Sequence, residues 1–117
     1  MRIVYVEDNR PNQSLIERIV RTGHHQIFPY STAEDALHNL NHDQPDMLLV
    51  DVELAGPMNG LDMVRHLRAN GYHQLIVAIT AVATEQECMD AGCDAYFVKP
   101  VPVGSLWELI EQYSTTM

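Results

Sequence analysis

Positive charge is scarce in this chain. Seven Lys and Arg stand against 16 Asp and Glu, and with the six His neutral the formal net charge is −9. Such a surface repels phosphate backbones and anionic headgroups, so direct binding to nucleic acid or to a membrane is disfavoured, and reading DNA would need a separate module. Cysteine is almost absent. Cys88 and Cys93 fit neither a C-x-x-C redox motif nor a zinc-ligand spacing, and read as thiols in a reducing compartment. No apolar stretch approaches the roughly 20 residues that span a bilayer, and the chain opens on a strand pattern without a charged leader, so a soluble, cytoplasmic location is expected. A Gly-rich phosphate loop, an internal repeat and a low-complexity tract are missing as well.

What is present is a core. With 46% hydrophobic residues over 117 positions, the chain can bury one core but not two, and residues 1–117 read as a single domain. Four short apolar runs carry most of that content, and each ends in a different polar residue. Ile3 to Val6 runs into Glu7 and Asp8, Met47 to Val50 into Asp51, Leu75 to Ile79 into Thr80, and Ala95 to Val98 into Lys99 and Pro100. Continuous apolar runs of this length, with helical patterns between them, predict strands of a parallel sheet covered on both faces.

The intervening segments alternate as such a sheet requires. Leu15, Ile16, Ile19 and Val20 fall at helical spacing within Pro11 to Thr22, and Gly23 supplies a stop. Gln26 to Tyr30 predicts a second strand, which Pro29 confines to an edge. Ser31-x-x-Glu34 and Thr84-x-x-Glu87 have capping-box spacing for the second and fourth helices. A third helix is predicted over about Leu61 to Asn70, and a fifth from Pro102, with Leu106, Leu109, Ile110 and Tyr113 as its apolar stripe. The fold expected is (βα)5, a doubly wound flavodoxin-like α/β sheet. Right-handed crossovers and an edge position for the second strand give the strand order 2-1-3-4-5.

Ligands of such sheets bind beyond the carboxyl ends of the strands, at the point where the order reverses. Glu7, Asp8 and Asp51 would gather there, with Thr80 and Lys99 approaching from the fourth and fifth strands. Clustered carboxylates repel one another unless a cation shares the site. Mg2+ suits oxygen ligands and is typically held by one or two carboxylates together with a phosphate. Asp8 and Asp51 are the expected ligands, with Glu7 acting directly or through water. An aspartate carboxylate is also a nucleophile toward phosphorus. Asp51 has no adjacent carboxylate to compete with it, while Lys99 and the Thr80 hydroxyl can stabilise the transferring oxygens.

These residues resemble the receiver domain of bacterial response regulators, and the resemblance covers essentially the whole chain. It implies a two-component switch in which Asp51 accepts a phosphoryl group from a sensor histidine kinase or a histidine phosphotransfer protein. It further implies that the backbone carbonyl of Glu53 completes the metal site, that the Lys99–Pro100 bond is cis, and that Tyr96 is an aromatic switch residue coupled to Thr80. The face made by the fourth helix, fifth strand and fifth helix, including the flank near Trp107, would then bind a downstream output protein or domain, or form a homodimer. The chain is expected to be either a stand-alone regulator or part of a larger protein, and a phosphoacceptor rather than an enzyme.

Two departures from the family pattern stand out. Ala55, Pro57 and Gly60 make the loop after Asp51 one residue longer than usual, and Glu53 and Val82 occupy positions that influence acyl-phosphate lifetime in the family. The competing readings are a haloacid-dehalogenase-type phosphohydrolase, which needs an Asp where Glu53 stands, and a flavodoxin-like nucleotide carrier, which would need the missing glycine loop. Among the remaining candidates, His38 and His42 read as a solvated helix face and His24-His25 as a loop.

Overall fold

Every apolar run forms a strand, and every amphipathic stretch between runs forms a helix. In chain order these are β1 (Arg2–Val6), α1 (Arg10–Thr22), β2 (Gln26–Tyr30), α2 (Ala33–Asp43), β3 (Met47–Asp51), α3 (Gly60–Ala69), β4 (Leu75–Thr80), α4 (Glu85–Ala91), β5 (Ala95–Val98) and α5 (Val103–Ser114). The computed structural model describes residues 1–115; the last two residues of the expected 1–117 domain lie outside the described residues. All ladders are parallel and the order is β2-β1-β3-β4-β5, as the sequence predicts. β2 takes an edge, where Pro29 opposite Tyr5 can interrupt one ladder at most. β1 and β3 are neighbours, with Val6 opposite Val50, so the reversal of strand order falls between Glu7 and Asp51.

Alternate strand residues feed two cores. On one face Val4, Val6, Leu48, Val50, Ile76 and Ala78 pack with Leu61, Val64 and Leu67 of α3 and with Cys88 and Ala91 of α4. On the other, Ile3, Tyr5, Met47, Leu49, Val77 and Ile79 pack with Ile16 and Val20 of α1 and Leu106 and Ile110 of α5. Burial on both faces explains why the runs do not alternate with polar residues. Each fully buried Leu, Ile or Val contributes about 1.5–3 kcal/mol relative to exposure, which makes these strand ends rigid supports. No helix among the described residues is long and apolar enough to cross a membrane.

Helix starts match the expected chemistry with two corrections. α2 is capped by Thr32 rather than Ser31, its hydroxyl accepting from the Asp35 amide at 3.1 Å. Ser31-x-x-Glu34 and Thr32-x-x-Asp35 overlap, and the register that buries Ala33 and Ala36 decides between them. α3 begins at Gly60, with a reciprocal box in which Asn59 accepts from the Asp62 amide at 2.9 Å and Asp62 from the Asn59 amide at 3.2 Å. α4 has the Thr84–Glu87 box and ends at Gly92, whose φ of 115° is open to glycine. Arg68 ties α3 to the following elements. Its guanidinium donates at 2.9 Å to the carbonyls of Gly92, Tyr72 and Gln74 and to Asp94 Oδ2.

Candidate functional site

β1, β3, β4 and β5 all point their carboxyl ends at one edge of the sheet, and each delivers one part of the site. Glu7 and Asp8 follow β1, Asp51 closes β3, Thr80 closes β4 and Lys99 follows β5. Side-chain oxygens of Glu7, Asp8 and Asp51 lie within 4.8 Å of one another. Glu7 and Asp51 are each 1% exposed, whereas Asp8 faces solvent. The cluster is therefore an acidic well with one open wall.

The Lys99 ammonium lies 3.0 Å from Asp51 Oδ1 and 3.6 Å from Glu7 Oε1. Burial pulls its pKa down, but the hydrogen bond and charge of Asp51, joined by the charge of Glu7, outweigh this and hold it above the ordinary lysine value. Glu7 is pushed up to about 7, first by burial and then by the adjoining Asp51 carboxyl, against the pull of Lys99. The backbone helps: the Lys99 amide donates to the Thr80 carbonyl at 2.7 Å, and the Lys99–Pro100 peptide is cis. The Glu53 amide donates to Asp51 Oδ1 at 3.1 Å, fixing the carboxylate from the loop side.

Several contributors are not evident in the sequence pattern. Tyr5, wholly buried beneath the site, donates its hydroxyl to Glu7 Oε1 at 3.3 Å; burial, with Glu7 next to it, raises that phenol above its ordinary range. The Ala55 amide donates to Asp8 Oδ2 at 3.0 Å, so the loop after β3 reaches back to the acidic well. Gly60 is required by close approach, because a Cβ there would lie 2.2 Å from the Asp51 carbonyl oxygen. Its placement nine residues after Asp51 brings α3 against the strand end, with Gly56 at φ 100° in the intervening turn.

The Glu53 side chain is the largest surprise. The Thr80 hydroxyl donates to Glu53 Oε2 at 2.6 Å, and the Ala81 amide donates to Glu53 Oε1 at 2.6 Å. Glu7, Asp8, Asp51 and Lys99 thus meet directly, while Thr80 reaches the group through Glu53. Tyr96 lies opposite Ala78 on β5 and packs, half-buried, on the α3 and α4 side of the sheet, whereas Phe97 turns to the α1 and α5 side.

One neighbouring expectation is corrected. Trp107 belongs to the α1 flank rather than to the α4 side, because its ring packs over Gly23 and lines a groove with Ile19 and Thr22. His25 lies in the loop between α1 and β2, as expected. Its side chain is buried, with Nε2 3.3 Å from Glu111 Oε1, because β2 begins immediately after it. Cys88 and Cys93 are buried free thiols, and burial pushes Cys93 up to about 12, which keeps it protonated and unreactive.

An all-oxygen donor set beside a lysine at a topological switch point is that of a phosphate-handling α/β module. The sequence matches the response regulator receiver domain over residues 3–111, and the chain belongs to that family. The sensory/regulatory protein RpfC of Xanthomonas campestris pv. campestris is 30% identical over 117 residues, an alignment covering 94% of this chain and 16% of RpfC. This chain thus corresponds to a small part of that relative. The polar-differentiation response regulator DivK of Brucella anthropi is 28% identical over 116 residues, covering 95% of this chain and 94% of DivK. Among solved structures, the Francisella response regulator 1452 receiver domain superposes with a TM-score of 0.89 at 17% identity, covering 98% of each chain. The BeF3-activated N-terminal receiver domain of Klebsiella pneumoniae RstA does so with 0.85 at 23%, covering 95% of this chain and 96% of that one. Receiver domains are phosphorylation switches of two-component systems, generally not classed as enzymes, that interact with histidine kinases and output domains and typically bind Mg2+ in an acidic pocket. Family membership sets aside the phosphohydrolase and nucleotide-carrier readings.

Proposed function

We propose that phosphorylation of Asp51 operates this receiver, with residues 1–117 acting as one unit. The reading is carried by one observation: the Lys99 ammonium 3.0 Å from Asp51, inside a well whose three carboxylates converge to within 4.8 Å. An Asp51 oxygen bonds to phosphorus as the P–N bond of a phosphohistidine breaks. The electron pair leaves with the donor imidazole, which takes up a proton. The donor is a sensor histidine kinase or a histidine phosphotransfer protein.

The residues present fit Mg2+, since hard oxygen donors outnumber the single ammonium that faces them. Asp8 and Asp51 would hold it, with Glu7 directly or through water and the Glu53 backbone carbonyl as a further ligand. Bound there, the ion supplies neutralisation of phosphoryl charge. Lys99 stabilises the oxygens on the other side, and the Thr80 hydroxyl donates to them. Tyr96 shares a sheet face with α4 and registers two residues below Thr80, since Ala78 opposes Tyr96 and Thr80 opposes Val98. Movement of Thr80 toward the phosphoryl group is therefore coupled to the Tyr96 ring, and the α4, β5 and α5 face carries the signal to an output protein or domain, or to a second copy of the chain.

Acetyl phosphate with Mg2+ should add one acid-labile phosphoryl group, read by intact mass. Asp51→Asn should abolish the addition. Undiminished labelling of that variant would overturn the assignment.

A further inference from the structure

The Thr80 hydroxyl has no proton to spare. Its oxygen accepts from the amides of Ala83 at 2.7 Å and Val82 at 3.2 Å, and its single proton goes to Glu53 Oε2 at 2.6 Å. The adjoining Ala81 amide is also taken, by Glu53 Oε1 at 2.6 Å. Both bonds are charge-assisted and short, the strong class of hydrogen bond. The Glu53 carboxylate also lies close enough to Lys99 to help keep that ammonium charged. The two donors at the end of β4 thus already serve an anion, and that anion belongs to the chain itself.

We infer that the Glu53 side chain is an internal competitor for the phosphoryl group: it occupies the Thr80 hydroxyl and the Ala81 amide, and must release both before they can bind a phosphoryl oxygen on Asp51. Glu53 is then a positioning residue that holds the turn between β4 and α4 in its unphosphorylated arrangement. A hydroxyl with one proton cannot serve two acceptors at full strength, so anion binding at Asp51 and the Glu53 contact oppose each other. By linkage, removing the competitor must tighten anion binding by the factor it now subtracts. The inference rests on the phosphoacceptor reading and names a regulator of the same site.

The test uses the full chain with Mg2+ and beryllofluoride, a stable mimic of the acyl phosphate. Glu53→Ala should bind beryllofluoride about fivefold or more tightly than the parent, the lower end of ordinary coupling between sites. Glu53→Gln keeps the size of the side chain and one acceptor oxygen, so it should gain less, and it serves as the folded alternative if the alanine variant is unstable. In a Thr80→Val background most of the gain should vanish, because the contested proton is gone. Without anion or metal, the Ala81 amide resonance should move on Glu53→Ala as its short bond to a carboxylate is lost.

Equal or weaker binding by both Glu53 variants would overturn the inference. So would an unmoved Ala81 amide. A gain undiminished in Thr80→Val would reduce the effect to charge repulsion and overturn it too. If neither parent nor variant binds beryllofluoride, the phosphoacceptor reading falls and this one with it; if the parent binds normally, only the competitor role is at stake.

Discussion

A carboxylate as buried as Glu7 must be held by what surrounds it. Tyr5, the Asn9 amide and Lys99 do this from three sides, while Asp8 opens to solvent. This division makes Asp8 the residue to remove. Asp8→Ala should leave the fold intact and weaken Mg2+ binding on the order of 10–100-fold, a loss seen even for residues behind metal ligands. Titration calorimetry showing unchanged affinity would place the metal elsewhere. A third buried acid lies apart from the site. Asp43, 2% exposed, accepts from the Tyr30 hydroxyl, and burial followed by that bond pushes Tyr30 up to about 12. An unfolded tyrosine ionises near 10, so the folded state binds more protons between the two values. The stability from this pair is fully present below pH 10 and is lost as pH rises through about 12. Tyr30→Phe should flatten that alkaline decline in urea titrations, and a profile as steep as the parent's would show that the bond does not form.

Elements hold these residues in place through their ends. α3 starts so close to β3 that only glycine fits at position 60, where an added Cβ would meet the Asp51 carbonyl oxygen at 2.2 Å and the Val52 Cα at 2.8 Å. Those are backbone atoms with no room to swing aside. Gly60→Ala should destabilise the protein by about 1–3 kcal/mol, the usual effect of overpacking. It should also slow acetyl-phosphate labelling, because the strain is relieved by moving Asp51. Unchanged urea midpoint and labelling rate would mean that α3 shifts freely. Gly56, at φ 100°, and Pro57 carry the chain through the turn between β3 and α3, and Gly60 lands beneath Asp51.

For the molecule as a whole, the question is how far a change at Asp51 travels. Thr80 lies between the site and the α3 and α4 core, and Tyr96 packs against that same core. Trp107 sits on the opposite face, over Gly23 at the end of α1. Beryllofluoride with Mg2+ should therefore shift amide resonances from Ala81 through α4 and at Tyr96, with a smaller response from the Trp107 indole. Changes confined to the loops at Asp8 and Asp51 would refute the output route and leave the phosphoacceptor chemistry standing.

Sequence by itself determined the strands, their parallel order and four polar endings, because a sheet buried on both faces writes itself as uninterrupted apolar runs and each run gives way to a polar residue at the carboxyl edge of the sheet. Asp51 and Lys99 were legible for that reason: each is the first charged residue after such a run. The partners of those residues were not. Thr80 and Glu53 are 27 positions apart, Asp8 and Ala55 are 47 apart, and no local pattern distinguishes a glutamate that binds a hydroxyl across the sheet edge from one that is merely solvated. The sequence pattern points to Ser31 as the cap of α2, yet Thr32 takes that place because the burial of Ala33 and Ala36 sets the register. Local propensity and periodicity decide where elements begin and end, whereas side-chain pairing depends on distances that exist only once β1, β3, β4 and β5 lie side by side.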